Sequence, residues 1–197
     1  LIELGLEYRP EAVDHPWDMV VQMPERPDRQ LPPGTCIEDV FDESGGLLLI
    51  LGEPGSGKTT TLLKLARNLI ARAEQDETLH IPVVFNLSSW TVKQASLEEW
   101  LIEELRTKYY IPKKVAQAWV KEDTLLLLLD GLDEVKADAR EKCLAAINAF
   151  REQHLVPLVA CSRTVDYASL TVRLHVRTAI SLRSLNLGQI DAYLAGG

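Results

Sequence analysis

Residues Gly52–Thr59 read Gly-Glu-Pro-Gly-Ser-Gly-Lys-Thr, a fit to the pattern G-x-x-x-x-G-K-[ST]. Five apolar residues, Leu47–Leu51, precede it, and a helix-compatible segment, Thr60–Ala73, follows. Strand, tight Gly-rich turn and helix N-terminus in that order make a phosphate-binding loop. Backbone N–H groups and the helix dipole there form a concave anion site. The expected nucleotide contacts are Gly52, Glu53, Pro54, Gly55, Ser56, Gly57, Lys58, Thr59 and Thr60. Lys58 is placed to reach β- and γ-phosphates, and the Thr59 hydroxyl to ligate Mg²⁺. The bland alternative is a flexible Gly/Ser turn that binds nothing; the strand and helix in register speak against it.

Downstream, apolar runs alternate with helical patterns. Ile81–Leu87, Leu125–Leu129, Pro157–Cys161 and Arg177–Leu182 read as further buried strands. Between them, Leu62, Leu63, Leu65, Ala66, Leu69 and Ile70 recur at helical spacing. Ser96-Leu-Glu-Glu99 is a capping box ahead of Leu97, Trp100, Leu101, Glu104 and Leu105. Pro112 suits the first position of a short helix, and Ala137–Gln153 is amphipathic with Cys143, Leu144, Ile147 and Phe150 inward. Gly188–Leu194 starts another helix. Strands this apolar, alternating with helices, imply an α/β fold with a parallel sheet covered on both faces.

The 46 residues before the first strand read as irregular. Trp17–Met23 can form one short strand, and Pro24, Pro27, Pro32 and Pro33 punctuate a linker. That lead-in is either solvated or a strap against a nucleotide base.

Ligands of parallel sheets bind beyond the carboxyl ends of the strands. Three polar motifs sit at such ends: Gly52–Thr59, Asp130–Glu134 and Ser162–Arg163. Asp130 caps five consecutive leucines, the Walker B position, and is expected to meet the metal of Thr59 through a water. Gly131 follows where many related ATPases carry an acid, and Asp133 and Glu134 come slightly later. Asp133 is the favoured group to orient the attacking water, with Glu134 as partner or alternate. A helix start enriched in acids would read the same way. Arg163 can donate a planar fork to a γ-phosphate oxygen and report which nucleotide is bound, or it can pair with a surface carboxylate. Trp90 and Trp100 read as packing groups, and His15, His80, His154 and His175 form no ligand spacing.

The formal charge of -8 argues against nucleic acid as a direct partner. The three cysteines, Cys36, Cys143 and Cys161, show no metal or disulfide spacing and suit buried thiols in a reducing, cytoplasmic setting. No apolar run is long enough to span a bilayer, so no membrane contact is expected of these residues. Leu1 opens the chain without an initiator Met, as expected of a piece of a longer protein.

Gly52–Thr59, Leu125-Leu-Leu-Leu-Leu-Asp-Gly-Leu-Asp-Glu134 and Cys161-Ser-Arg-Thr-Val-Asp-Tyr167 together resemble the NACHT family of the STAND class of P-loop ATPases. Its hallmark, a strand ending Asp-small-x-Asp-Glu, is matched by Asp130, Gly131, Asp133 and Glu134. The Arg163 segment is similar to the family's sensor 1, and Leu182–Leu194 to the junction into its first helical subdomain. Pro32-Pro33-Gly34-Thr35 looks most like bacterial members. The resemblance implies a five-stranded parallel sheet in the order 5-1-4-3-2, with helices on both faces. It implies a lead-in over 1–34, a nucleotide-binding domain over 35–186 and the start of a helical subdomain over 187–197. It further implies ATP/ADP and Mg²⁺ as cofactors, slow hydrolysis, self-association through this module, and effector and sensor domains fused outside it. Catalytic roles would fall on Lys58, Asp133, Glu134 and Arg163, and metal binding on Thr59 and Asp130. Ser184 stands where the family often has Pro. The competing readings are an AAA+-like remodelling ATPase, which would carry Glu at the place of Gly131, and a degenerate interaction module, against which Lys58, Thr59 and Asp130 speak.

Overall fold

In a computed structural model of the protein, residues 6–9, 35–90 and 96–182 are described. The strand expected at Trp17–Met23, the proline-rich linker, Ser184 and the helix expected at Gly188–Leu194 lie outside them.

Among the described residues, six strands form one sheet: β1 (Leu6–Tyr8), β2 (Leu47–Gly52), β3 (Ile81–Asn86), β4 (Leu125–Asp130), β5 (Leu158–Arg163) and β6 (Thr178–Leu182), in the order β1-β6-β2-β5-β4-β3. The last five are parallel and reproduce the expected 5-1-4-3-2 arrangement. The sixth, β1, is an addition at the edge. It pairs antiparallel with β6, Leu6 opposite Leu182 and Tyr8 opposite Ile180.

Alternate residues of the parallel strands feed opposite faces, as the period of two requires. Leu49, Leu51, Leu125, Leu127, Leu129, Leu158 and Ala160 share one core with helices α3 (Leu97–Lys108), α4 (Lys113–Lys121) and α5 (Arg140–Gln153). Leu48, Ile50, Leu126, Leu128, Val159, Cys161 and Ile180 share the other with α1 (Ile37–Glu43) and α2 (Lys58–Ala73). Both faces being covered, the strands are apolar throughout rather than alternating.

Several expectations need correction. The lead-in is not wholly irregular: Ile37, Val40 and Phe41, spaced i, i+3, i+4, drive α1 onto α2. Arg72 Nη1, donating to both Asp42 carboxylate oxygens at 2.9 Å, ties the two helices at their rim. Leu63 and Ile70 are not core residues; at 51% and 43% exposure they flank the stripe formed by Leu62, Leu65, Ala66 and Leu69. Pro112 is the N-cap of α4 rather than its first residue, and its carbonyl accepts from Val115 and Ala116. Cys36 is exposed, because it precedes α1 in extended backbone; Cys143 and Cys161 are buried as expected. Finally, β5 does not stop at Cys161 but runs through Arg163, pairing Arg163 with Gly52.

Candidate nucleotide site

The parallel strands end at a common rim, and register sets its residues side by side: Gly52 pairs with Arg163 and with Leu182, and Asn86 with Asp130. From β2 the chain turns through Glu53–Gly57 into α2. Gly55 and Gly57 hold φ of 77° and 88°, a region other residues enter with strain, so the turn needs glycine there. A Cβ on Gly52 would stand 2.4 Å from Ser56 Oγ and 3.1 Å from the Leu182 carbonyl, so the end of β2 admits no side chain. A Cβ on Gly55 would meet nothing within 4 Å. The buried Ser56 hydroxyl has no hydrogen-bond partner. A glycine-lined turn, open on one side and with an unmatched hydroxyl, fits a phosphate group.

Lys58 is the first residue of α2, and its Nζ donates to the carbonyls of Gly52 (2.9 Å) and Glu53 (3.0 Å). The ammonium is thus held against the turn that would receive phosphate. Thr59 Oγ1 donates to Asp130 Oδ2 at 2.8 Å, although 71 residues separate them. Thr60 is exposed on the same helix start. A hydroxyl and a carboxylate in contact are the hard oxygen ligands Mg²⁺ takes beside phosphate oxygens, so this donor set fits that ion.

Beyond Asp130, Gly131 takes φ of 75° and launches a short 3₁₀ turn, Leu132–Glu134. A Cβ on Gly131 would approach the Glu134 carboxyl at 3.0 Å. Leu132 buries into the core, which leaves Asp133 and Glu134 on the rim. Asp133, its side chain only 7% exposed, binds Arg163 twice: Oδ1 accepts from the backbone N–H at 3.1 Å and Oδ2 lies 2.8 Å from Nε. The Arg163 side chain is 48% exposed. Glu134 accepts from Asn86 Nδ2 at 3.4 Å, while Asn86 Oδ1 accepts from Ser88 N at 2.8 Å, which orients the amide. Below the rim, burial pushes the Cys161 thiol well above its usual range, Asp130 and Asp133 adding to the rise and Lys58 opposing it.

The expected residues therefore form two contacts on one rim, Thr59 with Asp130 and Asp133 with Arg163. Asn86 and Arg140 join them without having been singled out in the sequence. Arg140 opens α5 with a positive charge where the helix dipole favours acids, a local conflict that is itself a signal. Asn86 ends a strand in register with Asp130 and could have been found only through that pairing.

A parallel sheet wound on both faces, a Gly-rich loop cradling Lys58 and a hydroxyl–carboxylate pair define a nucleotide-binding P-loop NTPase module. Comparison with known families gives a NACHT domain match over residues 46–195, and the chain belongs to that family. It is also similar to nucleotide-binding oligomerization domain-containing protein 2 of Bos taurus, with 28% identity over 174 residues. That match covers 79% of this chain and 17% of the relative, so the chain spans about a sixth of that protein's length. Among the described residues no helix is long and apolar enough to cross a membrane.

Proposed function

We propose that this chain is the nucleotide switch of a larger protein: it holds Mg²⁺–ATP or ADP, hydrolyses ATP slowly, and through that state governs self-association. Residues 35–186 would form the nucleotide unit, 1–34 a lead-in, and 187–197 the start of a helical subdomain. Effector and sensor domains would lie outside it, in the cytoplasm.

The Arg163–Asp133 pair carries this reading. The Arg163 guanidinium is half-exposed, so its contact with the largely buried Asp133 carboxylate lies open to a competing anion. A phosphate would offer it a charge-assisted fork. Arg163 thus has two alternative partners, as a two-state element needs, and its backbone N–H would keep Asp133 partnered when the guanidinium turns to phosphate. When bound, Mg²⁺ would neutralise phosphate charge, held through Thr59 and Asp130. Lys58 would bind phosphate as a point charge, the backbone of Gly52–Thr60 would orient it, and Asp133, with Glu134 as alternate, would accept a proton from water.

Steady-state hydrolysis by the purified chain tests the reading. Turnover is expected well below the roughly 10 per second of a median enzyme. Many turnovers per second without a partner would point instead to a remodelling ATPase.

A further inference from the structure

Arg140 lies on neither the loop nor the metal pair, yet each of its three guanidinium nitrogens has its own acceptor. Nε donates to the Val135 carbonyl at 2.9 Å, Nη2 to the Asp133 carbonyl, and Nη1 to Asp166 Oδ1 at 2.6 Å. Two of these acceptors belong to the turn that carries Asp133 and Glu134. The third lies in α6 (Thr164–Ala168), which begins immediately after Arg163. Asp133 in turn holds Arg163 by two contacts. The circuit closes: Arg140 to the Asp133 backbone, the Asp133 side chain to Arg163, Arg163 along the chain to Asp166, and Asp166 back to Arg140.

Such a placement costs something. A cation at the first position of α5 opposes the helix dipole, and the Arg140 side chain is only 17% exposed. Helix propensity gives no reason for it. A planar fork that spans three acceptors does, and the point charge of lysine cannot reproduce that span.

We propose that Arg140 is a positioning residue of the nucleotide switch: it locks the acidic turn to α6, so that Asp133 and Arg163 are presented to the terminal phosphate as one unit. This rests on the reading of Arg163 as the group that distinguishes ATP from ADP. Arg140 itself touches no nucleotide; it fixes the separation between the acid and the cation that do.

Calorimetry with ATPγS and with ADP, both with Mg²⁺, gives the triphosphate-to-diphosphate preference for wild type, Arg140→Lys, Asp166→Asn, Arg163→Lys and the Arg140→Lys/Arg163→Lys double variant. Thermal melting reports folding separately. Arg140→Lys keeps the charge and the aliphatic stem and is expected to stay folded while shifting the preference toward diphosphate by about tenfold. Asp166→Asn should shift it the same way, and the double variant should be no worse than Arg163→Lys alone, because the two act in series. A purely structural role would lower the melting temperature, or both affinities equally, and leave the preference unmoved; that result overturns the proposal, as does a double variant whose effects multiply. If Arg163→Lys itself leaves the preference unchanged, the reading of Arg163 fails and takes this one with it. If Arg163→Lys shifts the preference and Arg140→Lys does not, only the role of Arg140 is lost.

Discussion

Thr59 Oγ1 and Asp130 Oδ2 lie 2.8 Å apart, one at the start of α2 and the other at the end of β4, with β5 between their strands. Thr59 is exposed and Asp130 half-buried on the rim. On the proposed reading, a divalent cation would be held at this contact. Thr59→Val keeps the shape and deletes the hydroxyl. It should reduce the gain in ATP affinity that Mg²⁺ confers by about tenfold or more, read by calorimetry with and without the ion. An unchanged Mg²⁺ dependence would remove Thr59 from the site.

Asp133→Asn keeps the volume and one carbonyl acceptor for Arg163 while removing the charge. ATP binding is expected to persist. Single-turnover hydrolysis should slow by about a hundredfold or more, the usual worth of a placed general base. Turnover equal to wild type would move the base elsewhere, with Glu134 the next group along the turn.

Asn86 orients Glu134 through a long 3.4 Å contact, with its amide fixed by Ser88 N. Asn86→Ala should change hydrolysis only if Glu134 takes part in it. The comparison with Glu134→Gln decides: both variants slowed alike points to Glu134 in the reaction, and both at wild-type rate leaves Asp133 alone in that role.

The parallel strands were legible because strands covered on both faces are continuous apolar runs, of which Leu125–Leu129 is the clearest. The loop was legible because its chemistry is local. Three-residue β1 was not: Leu-Glu-Tyr has no pattern of its own, and only the distant partner β6 makes it a strand. Short α1 carried a signal in Ile37, Val40 and Phe41, but Cys36 supplies no side-chain cap to mark its start. Leu63 and Ile70 misled because an apolar stripe on α2 wider than the contact leaves its flanks in water. Asn86 acts through a partner 48 residues away, and Arg140 joins carbonyls 5 and 7 residues back to a carboxylate 26 residues on, a combination no local pattern encodes.

The thiols provide a check on packing that is independent of nucleotide. At pH 8, iodoacetamide should modify Cys36 and spare Cys143 and Cys161 until the chain unfolds. Burial pushes the Cys143 thiol up to about 12. It therefore stays protonated in the folded chain, while the unfolded chain ionises from about pH 9. A raised value means that the stability is fully present below about pH 9 and is lost as pH rises toward 12, by up to about 1.4 kcal/mol per pH unit. Urea midpoints from pH 8 to 11 should fall less steeply for Cys143→Ala than for wild type. Equal slopes would mean that this thiol is not buried as described.

Lys58 gives the most direct test of the site as a whole. Its Nζ is held by the Gly52 and Glu53 carbonyls at the turn that would receive phosphate. Titration of Mg²⁺–ATP into wild type and Lys58→Ala by calorimetry should show saturable binding in the first and none detectable in the second. Wild-type affinity in a folded Lys58→Ala chain would contradict the assignment of this loop as the nucleotide site.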